Sequence, residues 1–474
     1  MAYPVPTALL DEIEQQLKQF AQIGISGASQ AFCDRLCRLE IRCREQGLIW
    51  LAEILSELVQ EYVCYVNHDA RFSAQHVTEL IGELCIRSDA IRHDTGAVPQ
   101  VFIRGSQADQ VMEVGSARLV GLGTWVQLKQ HSAELTAYCQ NVDSGTIVAI
   151  RRNFPDPLED STELAKDFSQ LAQTPVIKGV SLAKLGTGQL LVKGGKRTPS
   201  YQFLPGRTPI SFNPQAYQWE LLRPPALVKD FTELSAHLSN LPPASLRPRR
   251  LTDNLYVCQV ATVEMVTFNA AEQTVQAILR DRQGNFITLI HPYTNRGRDG
   301  TEALLTSLSQ HPEALQFVAG QVRLSSQGLA IAPISLILQQ SSGRIMLQPW
   351  IERHQPSPII GGDLIPIPLT SPLPHIHYLQ QLTNALSELF LIGLQRVDSQ
   401  TIGYWQELAR QGAALGFVNL LKPIQQLATA LAAKLTLLHW DEKPAAEAML
   451  AIALLMKLVQ EQFGNDAGSQ SATV

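Results

Sequence analysis

The amino-acid sequence predicts an α+β multidomain protein: two tandem OB-like β-barrels flanked by N-terminal and C-terminal helical domains. Three observations carry this reading. Apolar residues recur every three or four positions at both ends of the chain, but run or alternate with period two in the middle. The middle holds two similar blocks, each ordered strand, strand, strand, helix, strand, strand. Two proline-rich stretches divide the blocks from each other and from the C-terminal helices.

Residues 1–95 form the N-terminal helical domain. LLDEIEQQLKQF, ASQAFCDRLCRLEIRCREQG, LIWLAEILSELVQEYVCYV and SAQHVTELIGELCIRSDAI give four helices, with Gly47 between the second and third and Ser73 as N-cap of the fourth. Residues 96–237 form the first barrel. Its hairpin turn is NVDSGT (Asn141–Thr146), a helix spans Ser161–Ala172, and a strand pair spans Val176–Gly194. A basic, proline-rich linker follows at 238–251.

The second barrel, 252–354, repeats the pattern: a long strand NLYVCQVATVEMVTFNA, a hairpin about Arg282–Gly284, a helix with Thr301 as N-cap, and a strand pair at Phe317–Ser335. In register, Gly145 answers Gly284, Glu163 answers Glu302 and Gly179 answers Gly320, all at nearly one offset along the chain. This element order is the connectivity of the OB-fold; an unrelated α+β sandwich is the rival. A proline-rich connector spans 355–377, a C-terminal helical bundle 378–465, and a disordered tail 466–474. Ser399 and Pro444 sit where helix starts want them. AMLAIALLMKLV is nearly apolar all round, so it is central to its bundle or covered by a partner.

With 45% hydrophobic and 17% charged residues, 474 residues supply ample core for several domains. A net charge of −5 excludes a wholesale polyanion binder, so any nucleic-acid surface must be a local patch. No segment reaches the ~18 apolar residues of a membrane span, and the N-terminus is acidic before any apolar run develops. The expected location is cytoplasmic. The seven cysteines contain no C-x-x-C pair. Cys33, Cys37 and Cys43 on one helix are better read as reduced, buried thiols than as a metal site. No cofactor is expected.

Nothing in the chain forms a recognisable catalytic site. GVSLAKLGTGQ is glycine-rich but is neither a phosphate loop nor a dinucleotide fingerprint. His375 and His377 fall in the proline-rich connector, and His291 has no identifiable acid or nucleophile partner. The binding case is fuller. Between Asp167 and Glu220 there is no acidic residue, while the span holds Lys178, Lys184, Lys193, Lys196, Arg197 and Arg207 together with Tyr201, Phe203, Phe212 and Tyr217. Cations gather phosphates by releasing counterions, and aromatics stack bases. The structural alternative is a solvated β face balanced by acids from elsewhere.

Arg247, Arg249 and Arg250 in the linker are a second basic spot, placed to touch a strand laid across both barrels. In the second barrel, Arg280, Arg282, Arg296, Arg298 and Arg323 form a further set, with Phe286 and Tyr293 as stacking candidates. Strict alternation puts Phe286, Thr288 and Ile290 on one face, which makes Phe286 a core candidate as well. Arg151 and Arg152 are adjacent on a strand, so they face opposite ways.

GSARLVGLGTWV, AYCQNVDSGTIVAIRRNF, VIKGVSLAKLGTGQLLVKGGKRTP, FNPQAYQWE, LIHPYTNRGRDG and MLQPW together resemble a family of bacterial accessory proteins. That family, of uncharacterised activity, is encoded beside MoxR-type AAA+ ATPases, von Willebrand factor A proteins and SWIM zinc-finger proteins. The resemblance covers most of residues 95–352 and implies an accessory or adaptor role in a multi-protein system, of defence or conflict type. It brings no functional residues with it.

The reading that unites these observations is a non-enzymatic adaptor. Its barrels hold single-stranded DNA or RNA, and its helical domains contact protein partners such as a AAA+ ATPase. Single strands are favoured over duplex because no basic recognition helix is present. A purely protein-binding scaffold uses the same fold without nucleic acid. An enzyme with an unrecognised site would need a pocket gathering His291 and Asp299.

Overall fold

In the computed structural model the described residues are 5–69, 72–96, 99–105, 110–129, 132–156, 165–207, 210–270, 273–325, 328–341, 343–353, 374–436 and 439–470. The chain folds into two compact units that do not follow its linear order. Residues 1–107, 242–248 and 369–463 make a helical unit, and residues 108–241 and 249–368 a β unit. The two helical segments expected as separate flanking domains are therefore one body. Within it, part of the linker is fastened down: Arg87 donates to the Arg247 carbonyl (2.9 Å), and Glu461 accepts from the Ser245 hydroxyl (2.9 Å).

The chain begins with α1 (Thr7–Ile23), α2 (Gln30–Glu45), α3 (Ile49–Val66), α4 (Ala74–Arg92) and the short α5 (Gln100–Ile103). Ser73 caps α4, accepting from the His76 N–H at 3.2 Å. The next strands are β1 (Met112–Lys129), β2 (Ser132–Asn141) and β3 (Ile147–Pro155). They are followed by α6 (Phe168–Ala172), β4 (Pro175–Ile177), β5 (Val180–Ser181), α7 (Leu182–Thr187), β6 (Gln189–Arg197), β7 (Phe203–Pro205), β8 (Ile210–Asn213), β9 (Leu227–Val228) and α8 (Phe231–Ser239). The second β half is β10 (Leu255–Gln259), β11 (Thr262–Asn269), β12 (Thr274–Arg280), β13 (Phe286–Pro292), α9 (Arg298–Gln310), β14 (Leu315–Ser325), β15 (Gly328–Gln340) and β16 (Gly343–Leu347).

The second sheet runs β11-β12-β13-β15-β14-β10-β9, with β13 and β15 parallel. Strands β10 and β11, near its two ends, are two parts of one bent run: β10 pairs β14, and β11 pairs β12. The first sheet runs β3-β2-β1-β6-β7, and the single strand β1 does both jobs, pairing β6 through its first half and β2 through its second. The third strand of this half also meets the segment after β6 in parallel, but only through one bridge, Ala149 to Gln202.

Alternation along the strands divides them between three cores. Leu119, Ala137 and Val148 point into the first half; Tyr256, Val318 and Leu336 point into the second. Their neighbours Val120, Tyr138, Ala149, Leu255, Phe317 and Ile337 meet in a layer between the halves. That explains why nine residues of β2 are buried in succession. Trp350 stands at the junction, 4.9 Å from Trp125 and 4.8 Å from the His291 ring, and donates to the Pro333 carbonyl (3.0 Å).

Several expectations change. Val176–Gly194 is not a strand pair like Phe317–Ser335: it contains a tight turn, the helix α7 and one long strand. Gly179 lies in a turn (φ +85°), whereas Gly320 lies within β14, so that landmark fails. Gly145 and Gly284 do match, each at positive φ between two paired strands of its half. Glu163 and most of the proline-rich connector lie outside the described residues, as do residues 161–164 of the predicted helix. Two boundaries also move. A helix already begins at Pro374, inside the predicted connector, and residues 466–470 of the predicted tail are helical.

The chain closes with α10 (Pro374–Ile392), α11 (Ser399–Ala414), α12 (Val418–Lys434) and α13 (Lys443–Gln470). Set against α1–α4, these helices keep one constant spacing: Gly24 and Gly393, Ser29 and Asp398, Ile49 and Val418, and Ala74 and Lys443 all correspond. Buried residues follow suit, as in Leu17 and Leu386, Leu36 and Trp405, Leu39 and Leu408, and Leu55 and Ile424. Helices α1 and α10 both end on glycines in backbone conformations that glycine alone adopts readily (φ +66°, ψ 169° and φ +81°, ψ 151°). The two glycines face each other, each approaching the other's backbone too closely for a side chain.

Exchange of partners completes the symmetry. The Thr78–Ser387 hydroxyl pair (3.0 Å) and the Glu447–Lys18 ion pair (2.7 Å) occupy equivalent places with the copies swapped. The helical unit is thus a pseudo-twofold pair of four-helix repeats, with the β unit inserted between them in the chain.

Candidate nucleic-acid interface

Strand β6 alternates Leu190 and Val192 inward with Leu191 and Lys193 outward. Past Gly194 (φ +106°) the alternation changes phase while the pairing with β1 keeps its register, so that Lys196 is exposed as well. The hairpin from β6 to β7 is built by Thr198: its carbonyl accepts the Tyr201 N–H (3.0 Å), and its hydroxyl accepts the Gln202 N–H (3.0 Å). This holds Tyr201 at φ +67°. Arg197 lies over the Tyr201 ring at 4.3 Å from its centroid, and Arg250 at 4.6 Å. The linker reaches this tip because the Leu251 N–H donates to the Ser200 carbonyl (3.0 Å). Two candidate groups far apart in sequence, Arg197 with Tyr201 and Arg250, are thereby one site, with half-buried Arg249 beside it in the chain.

The remaining candidates scatter. Lys178 donates to the Arg207 carbonyl (2.9 Å), tying two loops together, and Lys184 is exposed on α7. Lys196 is 3.5 Å from Glu113. Arg280 is paired with Glu264, and Arg298 with Glu302 (2.6 Å). Arg296 is a strut between the β halves: it bonds Asp156 (2.8 Å) and the Lys166 carbonyl (2.9 Å) and covers the Phe168 ring. Arg282 is exposed in its turn.

A smaller second surface lies on the outer face of β13. Phe286 is 44% exposed and pairs with Arg280 across the strands, which overturns the core expectation for it. The buried face is the other one, carrying Ile287, Leu289 and His291. Thr288 on the outer face leads through Ala330 to exposed Arg323. Tyr293 packs edge-on against Phe268 at 6.3 Å.

Two stretches of the chain match the domain models of one family. Residues 7–105 match the YehQ four-helical bundle domain, and residues 252–363 match the YehQ C-terminal OB-fold domain. Protein YehQ of Escherichia coli (strain K12) is similar at 22% identity over 339 residues, covering 68% of this chain and 53% of YehQ. The chain therefore spans about half the length of the curated relative it matches. The N-terminal bundle and the C-terminal OB-fold domain are thus as the sequence predicts. The YehQ-type OB-fold domain is the half that carries Phe286 and Arg323, whereas the Arg197–Tyr201–Arg250 cluster lies just ahead of it.

His291 and Asp299 do not converge: the ring is 1% exposed and Asp299 faces solvent. Burial alone lowers the His291 pKa to about 3, so the ring is neutral. Among the described residues no His, Cys, Asp or Glu group is arranged to hold a metal, and no helix is long and apolar enough to cross a membrane. Arg151 and Arg152 diverge as their alternation requires, toward Gln202 and Glu134 and toward the Pro175 carbonyl. The pairing of Arg250 with Tyr201 has no local signal; only the excess of arginine in the linker hinted at it.

Proposed function

We propose that this protein is a non-enzymatic adaptor that holds single-stranded nucleic acid on its β unit and engages protein partners through its helical unit. The observation that carries this reading is the convergence of Arg197 and Arg250 on the Tyr201 ring. Among the described residues neither guanidinium is ion-paired; Arg197 Nη2 donates only to the Met112 sulfur (3.3 Å), and the other in-plane N–H groups remain available to phosphate. Bases can stack on guanidinium planes and on exposed aromatics, and phosphates can follow Lys193 and Lys196 along β6.

The reading extends to both β halves as OB modules. Its support in the first half is the shared strand order and the lone parallel bridge from the third strand. A AAA+ ATPase is the proposed protein partner, and a bacterial multi-protein system the proposed setting. The rival, a protein-binding scaffold without nucleic acid, draws support from Arg280, Arg296 and Arg298, which are all committed to internal carboxylates.

Fluorescence anisotropy with labelled single-stranded DNA and RNA, on nuclease-treated protein, tests the proposal. Four phosphate contacts predict a salt slope of about −2.8, or roughly fiftyfold weaker binding at 200 than at 50 mM salt. The combined substitution Arg197→Ala, Tyr201→Ala, Arg250→Ala leaves only Lys193 and Lys196 and should halve that slope, to about −1.4. Absence of binding at 50 mM salt to either strand would leave the scaffold reading.

A further inference from the structure

The pseudo-twofold of the helical unit presents two equivalent places where a first helix meets the partner copy's fourth. They are not alike. Between α10, α4 and the second half of α13 the space is closed, with about 10 Å³ left. Between α1, α4 and the first half of α13 lies a cleft of about 190 Å³.

Two differences between the repeats account for this. At Gly82 the missing side chain admits the α13 backbone, since a Cβ there would stand 2.6 Å from the Ala453 carbonyl; the equivalent residue in the other copy is Ala451. Lys457 lays its stem into the closed side, and its counterpart on the open side is Ser88. The cleft is therefore a departure from a packing solution that the same chain uses once.

We infer that this cleft binds a small apolar molecule bearing one ammonium group. Its floor is aliphatic: Leu10, Ile13, Leu17, Leu450 and Leu454. Its volume is near that of the roughly 150 Å³ cavity known to admit benzene, which suits one ring with a short side chain. The rim sets the charge. Lys18 and Arg92 are only 27% and 26% exposed and are each held by two carboxylates: Lys18 by Glu14 (2.9 Å) and Glu447 (2.7 Å), Arg92 by Asp11 (2.6 Å) and Glu14 (3.0 Å), so four acids outweigh two cations.

The acids Glu14, Glu447 and Asp89 line the cleft, are about half exposed (48%, 58% and 62%) and keep acceptor capacity beyond these ion pairs. An entering anion meets acids, whereas an entering ammonium meets acceptors. The Ser88 hydroxyl is buried without a hydrogen-bond partner and offers one acceptor more.

The test is saturation-transfer NMR of the full chain with 2-phenylethylammonium, set against phenylacetate, an anion of closely similar shape. The ammonium should receive saturation and the anion none at the same concentration. Glu447→Gln, an exposed rim change, should weaken the ammonium at least threefold. Ala451→Leu, which fills the opening, should abolish its signal while the circular-dichroism melt stays cooperative. Equal saturation of both probes, no saturation of the ammonium at 10 mM, or binding undiminished in Glu447→Gln would overturn the assignment. The Glu447→Gln and phenylacetate results decide the matter even if Ala451→Leu does not fold.

Discussion

The two helical repeats and the two β halves are both pairs within one chain, and their likeness runs to different depths. Across four helices the helical copies hold one constant spacing without a single insertion. The β halves share a strand order but not a spacing: β6 and β7 are joined through residues 198–202 in the first half, whereas only 326–327 separate β14 from β15 in the second. The physical difference lies in where the cores are. Residues of both helical copies enter a single core, so a shift in one copy disturbs the other. Each β half has its own core and shares only the layer between them, so its loops were free to drift.

The most direct way to break the helical pairing is at its axis. Gly393→Val forces a branched side chain against the Ile23 and Gly24 backbone in a conformation that valine avoids. It should cost about 3 kcal/mol or more, read as a drop in the urea midpoint. Gly403→Ala is the control: it lies in α11 with open space around it and should stabilise by about 0.5–1 kcal/mol.

Acid should distinguish the β unit. Because burial holds the His291 pKa near 3, below that of the unfolded chain, the unfolded state binds the proton first as pH falls below about 6.5. Stability is lost through that window, by about 2 kcal/mol at pH 5 at 1.36 kcal/mol per pKa unit. Glu352, whose carboxyl is raised by burial, works in the opposite direction. Urea titration at pH 7 and pH 5, followed by tryptophan fluorescence, should show a smaller acid loss in His291→Leu than in the parent. An unchanged loss would place the acid sensitivity elsewhere.

The smallest effects sharpen the symmetry itself. Ser387→Ala leaves the buried Thr78 hydroxyl without that partner and should cost about 1 kcal/mol or more, read from the same urea midpoint. Lys18→Met, at the equivalent position, breaks part-exposed ion pairs and should cost well under about 1 kcal/mol. Equal costs in the two variants would mean that the copies diverged less in environment than in sequence.

The helices at both ends, the Ser73 cap and the hairpins at Gly145 and Gly284 were legible in the sequence, because each depends on neighbours within a turn or two. The acid-free run and the arginine-rich linker marked the residues that gather in the Tyr201 cluster. The spacing that betrays the helical duplication was also in plain text, since the interval from Gly24 to Gly47 equals that from Gly393 to Gly416. It stayed hidden because the buried residues at matching positions, such as Leu36 and Trp405, share only apolarity, which is all that a core position demands.

What the tertiary structure alone decided is which distant pieces meet. Arg250 reaches Tyr201, Arg296 becomes a strut, Phe286 faces outward, and two terminal helical segments become one body. Periodicity tells each segment which face to bury. Which surface it is buried against depends on packing between residues far apart in the chain, and no local pattern encodes that choice.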